Sequence, residues 1–165
     1  MNMRKKVILI VAIIMGVSMS SVSAESIGGI SLGMPRDQVV SLYGQPQWIF
    51  NKDQYAYYTG GYVFQAQVYS NGLAVVYNGG YVQRVAMLKL DGSNRELDWS
   101  GLNLRDELSS YNNKYGNSEF NYKQNNNKFG VTDTRRFNSN VSGEYLWVST
   151  YQGDIKSVEI NHYDN

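Results

Sequence analysis

The stretch Tyr62–Lys89, YVFQAQVYSNGLAVVYNGGYVQRVAMLK, constrains the fold more than any other part of the chain. Apolar and polar residues alternate along it, and Ser70-Asn71-Gly72 and Asn78-Gly79-Gly80 interrupt the alternation. Asn-Gly between alternating runs is a strong hairpin signal, because tight turns need backbone with positive φ. Together with Thr59-Gly60-Gly61 just before the segment, these turns separate strands at Tyr55–Tyr58, Tyr62–Tyr69, Leu73–Tyr77 and Tyr81–Lys89, an antiparallel meander. A two-residue loop at Asn71-Gly72 would pair Val68 with Val75 and Ala66 with Tyr77 on a core face. It would leave Tyr69 opposite Ala74 and Gln67 opposite Val76 on the other face. Trp48–Gln54 reads as a further short strand or a continuation, with a turn at Asn51-Lys52-Asp53.

The pattern occurs twice. Shifted by about 72 residues, ISLGMPRDQVVSLYGQPQW overlies LNLRDELSSYNNKYGNSEF, so that Tyr43-Gly44 meets Tyr115-Gly116 and Trp48 meets Phe120. One residue further, LAVVYNGGYVQRVAM overlies LWVSTYQGDIKSVEI, with Leu73, Val75, Val82, Val85 and Met87 on Leu146, Val148, Ile155, Val158 and Ile160. Helix signals precede both meanders. Pro35 suits a first helical position, Val39, Val40, Leu42 and Tyr43 follow at helical spacing, and Gly44 and Pro46 stop the run. Leu104, Leu108 and Tyr111 mark the second helical face, Asp106-Glu107 its opening and Gly116 its stop.

The fold expected is therefore α+β. It is a tandem repeat of two helix-loop-helix plus antiparallel β-meander units, with the helices on one face of the sheet. The first unit spans residues 25–91 and the second 92–165, with Asp91-Gly92-Ser93-Asn94 as the hinge. The Asn-rich tract at 125–128 reads as a hairpin tip.

The first 24 residues read as a cleaved signal peptide. Arg4, Lys5 and Lys6 form a basic start, Val7–Met19 an apolar run, and Val22-Ser23-Ala24 a small-residue cleavage site. The apolar run is about 13 residues, short of the ~20 a spanning helix needs. The chain is expected to be exported, to the periplasm or the medium, with no transmembrane segment after cleavage. Having no cysteine, it carries neither a lipid anchor nor disulfides. Three of the 15 Lys and Arg lie in the leader, leaving 12 against 14 Asp and Glu. That balance argues against a nucleic-acid partner, which requires a clustered basic footprint.

Catalytic chemistry is sparse. The single histidine, His162, stands near the end of the chain, and no Gly-x-Ser-x-Gly elbow or cysteine nucleophile occurs. Asp133 beside Arg135 and Arg136 reads as an ion pair, and the Gly-Gly steps sit at hairpins rather than at a phosphate loop. The expectation is a non-enzymatic protein with no catalytic residues, cofactor or metal.

The phrase Leu32-Gly33-Met34-Pro35-x-x-x-Val39, closing in Tyr43-Gly44-x-Pro46, resembles the Gly-Met-Ser/Thr-x-x-x-Val…Gly-x-Pro signature of a secreted superfamily. That superfamily includes the β-lactamase inhibitory proteins and the SmpA/OmlA-type (BamE-like) envelope lipoproteins. The resemblance implies two helices packed on a short antiparallel sheet, with tandem units in the inhibitors. Pro35 replaces the Ser/Thr cap, and the second repeat keeps Leu104, Tyr111 and Tyr115-Gly116 at equivalent points. Asp53-Gln54-Tyr55-Ala56-Tyr57 is similar to the hairpin such inhibitors insert into their target, which marks Asp53, Tyr55 and Tyr57 as partner-binding.

The function expected is an exported, inhibitor-like module that binds a protein partner through an aromatic sheet face. Tyr69, Trp147 and Tyr151 are taken to alternate away from the core, and Arg135 supplies a charged member. An envelope or outer-membrane assembly factor is the alternative, and a glycan or small-ligand binder using Tyr and Trp as stacking platforms a third reading.

Overall fold

The structure is a computed structural model that describes residues 24–123 and 130–162. The residues before Ala24, read from the sequence as a signal peptide, and the Asn-rich tract lie outside the described residues. The elements run α1 (Arg36–Tyr43), β1 (Trp48–Asn51), α2 (Lys52–Thr59), β2 (Gln65–Val68), β3 (Leu73–Asn78), β4 (Tyr81–Leu88), α3 (Leu108–Tyr115), β5 (Phe120–Lys123), β6 (Asp133–Asn138), β7 (Tyr145–Tyr151) and β8 (Asp154–Asn161). All eight strands join one antiparallel sheet in the order β1-β2-β3-β4-β8-β7-β6-β5. No helix among the described residues is long and apolar enough to cross a membrane.

This corrects the expected architecture. Among the described residues the protein is a continuous eight-stranded sheet with three eight-residue α-helices, and no helix-loop-helix pair precedes either meander there. The helices also occupy both faces of the sheet. Val39 of α1 and Tyr111 of α3 pack on a first face with Leu73, Val75, Val85, Met87, Leu146, Val148, Val158 and Ile160. Tyr55 of α2 packs on the second face over Ala66, Val68, Ala74, Val76, Ala86 and Leu88.

The element mistaken for a strand is α2. Asn51 Oδ1 accepts from the amides of Asp53 and Gln54, both at 3.0 Å, while Gln54 Oε1 accepts from the Asn51 amide at 2.9 Å. This reciprocal capping box satisfies amides that a helix start otherwise leaves open. Gly60, at φ 70°, ends the helix in the left-handed conformation.

The β2–β3 hairpin differs by one residue from expectation. Its loop is a three-residue 3₁₀ turn, Ser70–Gly72, with Asn71 and Gly72 at φ 56° and 71°, and the Tyr69 amide donates to Leu73 O at 2.7 Å. Gln67 therefore pairs with Val75 and Val68 with Ala74. Because side chains alternate along a strand, that single step exchanges the faces of one strand relative to the other. Tyr69 accordingly lies in the first-face core, 1% exposed, its hydroxyl bonded to Gln67 and Tyr77.

The Gly33-Met34-Pro35 entry to α1 runs alongside β4. The Gly33 amide donates to Val82 O, the Val82 amide to Met34 O, and the Arg36 amide to Gly80 O. Pro35 occupies the N-cap rather than the first helical position. Val39 is fully buried, whereas Leu42, expected on the same stripe, is 57% exposed. An eight-residue helix presents only about two turns to the sheet, so one central residue and the flanking Tyr43 suffice to seat it.

Candidate functional site

One row of side chains crosses all eight strands on the second face: Trp48, Val68, Ala74, Ala86, Glu159, Trp147, Arg136 and Phe120. The two alanines let α2 approach the first half of the sheet, as Ala66 does beside them. In the second half the row turns large and polar. There the sheet, the end of α2 and the edge strand β5 enclose an open groove of about 460 Å³.

Thr59, Gly60, Gly61 and Tyr62 form one wall of the groove, and Phe120 and Tyr122 form the other. Arg84, Glu159, Asn161, Trp147 and Thr134 form its floor. The α2 wall is fixed to the strands beneath. Ser149 Oγ donates to Thr59 O at 2.7 Å and Ser157 Oγ to Tyr58 O at 3.0 Å, satisfying terminal helix carbonyls.

The floor is a connected polar network. Glu159, 4% exposed, accepts from Tyr55 Oη at 2.5 Å on one carboxylate oxygen. Its other oxygen accepts from Arg84 Nη1 at 3.0 Å and Asn161 Nδ2 at 2.5 Å. Asn161 Oδ1 in turn accepts from Trp147 Nε1 at 3.2 Å, which orients the indole. Burial, reinforced by the Glu159 charge, holds the Tyr55 phenol well above its ordinary pKa, so it remains a donor. Phe120 packs against Trp147 at a steep angle, with ring centroids 6.1 Å apart, and the Arg136 guanidinium lies 6.0 Å from the indole centroid. Arg136 also pairs with Glu119 at 3.2 Å. Tyr62, Phe120 and Tyr122 remain 60%, 44% and 53% exposed, so the groove has open aromatic walls above a buried polar floor.

The residues singled out from the sequence do not converge. Trp147 lines the groove, and Tyr55 is buried behind it as the donor to Glu159. Tyr151 closes β7 outside the groove lining, with the Lys156 ammonium 5.6 Å from its ring centroid. Asp53 and Tyr57 are exposed on α2, a helix and not the hairpin their motif implied. Tyr69 faces the opposite core. Arg135, paired in register with Val148, also belongs to the first face, and its Nε meets Asp133 at 3.3 Å. His162 is exposed, one ring nitrogen 3.2 Å from Gly143 O.

Arg84, Glu159, Asn161, Phe120, Tyr122 and Tyr62 were not singled out. A signal existed for several of them: in Val158-Glu159-Ile160-Asn161 the apolar residues take the core face and leave Glu and Asn on the other. Phe120-Asn121-Tyr122 likewise alternates aromatic and polar. Searches of family models, characterised proteins and solved structures find no match to this chain.

Proposed function

We propose that this protein is an exported, non-enzymatic binding module whose recognition surface is the aromatic groove centred on Trp147. The observation that carries the reading is a rigid polar floor beneath half-exposed Tyr62, Phe120 and Tyr122. Ligand sites characteristically combine apolar walls with a few fixed polar groups. Aromatic side chains supply contact area at a small entropic cost. Export is supported by the leader-like first 24 residues. The non-catalytic reading is supported by Glu159, the carboxylate among the described lining residues, which commits both oxygens to Tyr55, Arg84 and Asn161. A protein partner, the class favoured by the sequence, would place a side chain in the groove.

The test is capture from native envelope and secreted material. Wild-type protein is compared with Tyr122→Ala and with Trp147→Ala, each shown to be folded by circular dichroism, and both proteins and sugars are analysed in the eluate. Groove-dependent enrichment is expected. An eluate unchanged by either substitution refutes the groove as the recognition surface.

A further inference from the structure

We infer that the groove takes a neutral carbohydrate, one or two pyranose rings stacked on its aromatic walls with their hydroxyls directed at the Arg84–Glu159–Asn161 floor. This inference rests on the reading of the groove as the recognition surface. Its warrant is the combination of surfaces. A pyranose presents an apolar face of C–H groups that matches an aromatic ring. Its rim of hydroxyls both donates and accepts, and so needs partners of both kinds.

The Trp147 indole in the floor and the aromatic walls supply the stacking surfaces. Trp147 is held by its bond to Asn161 and by Phe120 against it, and Phe120 and Tyr122 leave ring area open. The floor supplies carboxylate, amide and guanidinium groups on three side chains linked to one another. Glu159 and Asn161 are 4% and 3% exposed, so they are fixed in place before any ligand arrives. Planar groups held at adjacent positions suit neighbouring hydroxyls, and preorganisation reduces the ordering cost of binding. The volume of about 460 Å³ lies within the roughly 300–1,000 Å³ of small-ligand sites.

The charge pattern narrows the class. Arg84 is matched by Glu159 at 3.0 Å, so an anionic ligand gains the guanidinium only by also meeting the carboxylate. A cation meets the reverse conflict. At the α2 wall the carbonyls of Tyr58 and Thr59 already accept from Ser157 and Ser149, so the main-chain partners an extended peptide needs lie along the outer edge of β5 rather than within the groove.

Ligand-observed NMR and tryptophan fluorescence titrations against a panel test the inference. The panel contains neutral hexose and N-acetylhexosamine oligosaccharides, their uronic-acid or sulfated counterparts, and short aromatic and aliphatic peptides. Neutral saccharides are expected to bind, with affinity little changed by added salt because no net charge is neutralised. Tyr122→Ala, at an exposed position, should weaken binding about 3–10-fold while the protein stays folded, the loss of one aromatic contact. Binding confined to acidic sugars or to peptides overturns the carbohydrate inference, as does saccharide binding that Tyr122→Ala leaves unchanged. If the panel is silent but capture still yields a protein in a groove-dependent manner, the carbohydrate inference falls and the module reading stands. If neither depends on the groove, both fall.

Discussion

Tyr55→Phe isolates the bond that ties α2 to the centre of the sheet. The ring is fully buried, and its hydroxyl donates to Glu159 Oε2 at 2.5 Å, across 104 residues of chain. Phe preserves the ring and its packing on Ala66, Val68 and Ala86, so no sizeable cavity opens. What is lost is one hydrogen bond to a carboxylate, worth about 1.5–3 kcal/mol. Arg84 and Asn161 remain on the other oxygen and keep the carboxylate from being abandoned, which sets the expectation at about 2 kcal/mol. For a domain of this size that corresponds to a fall in Tm of roughly 4–8 °C. Urea unfolding followed by circular dichroism should show a lower midpoint and an unchanged slope, since the surface exposed on unfolding is the same. In a Glu159→Gln background the same substitution should cost about 1–2 kcal/mol less, a coupling that a double-mutant cycle reads directly. A Phe variant within about 0.5 kcal/mol of wild type, or strict additivity in the cycle, refutes the claim that this bond anchors the groove wall.

Gly72→Ala should destabilise by more than about 2 kcal/mol, because φ is 71° and an added Cβ would stand 2.3 Å from Leu88 O. Gly79→Ala, at φ 58° with open space around it, should cost only about 1–2 kcal/mol, and paired thermal melts check the difference. Glu25→Ala should cost about 1–3 kcal/mol by urea unfolding, since the buried carboxylate accepts from the Trp99 amide at 3.0 Å and from the Tyr115 hydroxyl. Burial raises the pKa of the Tyr55 and Tyr111 phenols above their unfolded value near 10.0. Their contribution to stability is complete below that value. Above about pH 10 it is lost, at about 1.4 kcal/mol per pH unit for each group, as unfolded-state phenols ionise while the native ones hold their protons. Urea midpoints measured across alkaline pH check this, and a stability independent of pH there would count against the burial of both rings.

Strand content and helix ends were legible because both depend on local chemistry. Gly44 and Gly116 terminate α1 and α3, and Leu73, Val75, Leu146 and Val148 face the first core as alternation requires. The failure at α2 was a choice between two local signals. Tyr55–Tyr58 carries strand propensity, but Asn51 and Gln54 carry a capping box and Gly60 a helix stop, and the caps prevailed. Propensity for strand mostly reflects packing against neighbours, and here the neighbours are a sheet face that a helix can cover. Tyr69 failed for a different reason. Its face depended on whether the loop at Asn71-Gly72 had two residues or three, and Asn-Gly is compatible with both.

The size and polarity of the side chains along the sheet set where the groove lies. A helix covers a sheet closely only where the side chains beneath it are small, and Ala66, Ala74 and Ala86 provide that surface under α2. Along the row across the strands, Ala74 and Ala86 give way to Glu159, Trp147 and Arg136, whose bulk and polarity deny a comparable seat. Replacing Trp147 by Ala would therefore do more than remove a stacking surface. It would leave Asn161 Oδ1 without the indole donor and Phe120 without the ring it packs on, loosening floor and wall together. Tyr122→Ala touches only the rim, so the two variants separate recognition from architecture. Equal losses of binding with unequal losses of stability would identify the groove as a recognition surface, whereas binding losses that track stability would identify it as a packing defect between α2 and β5.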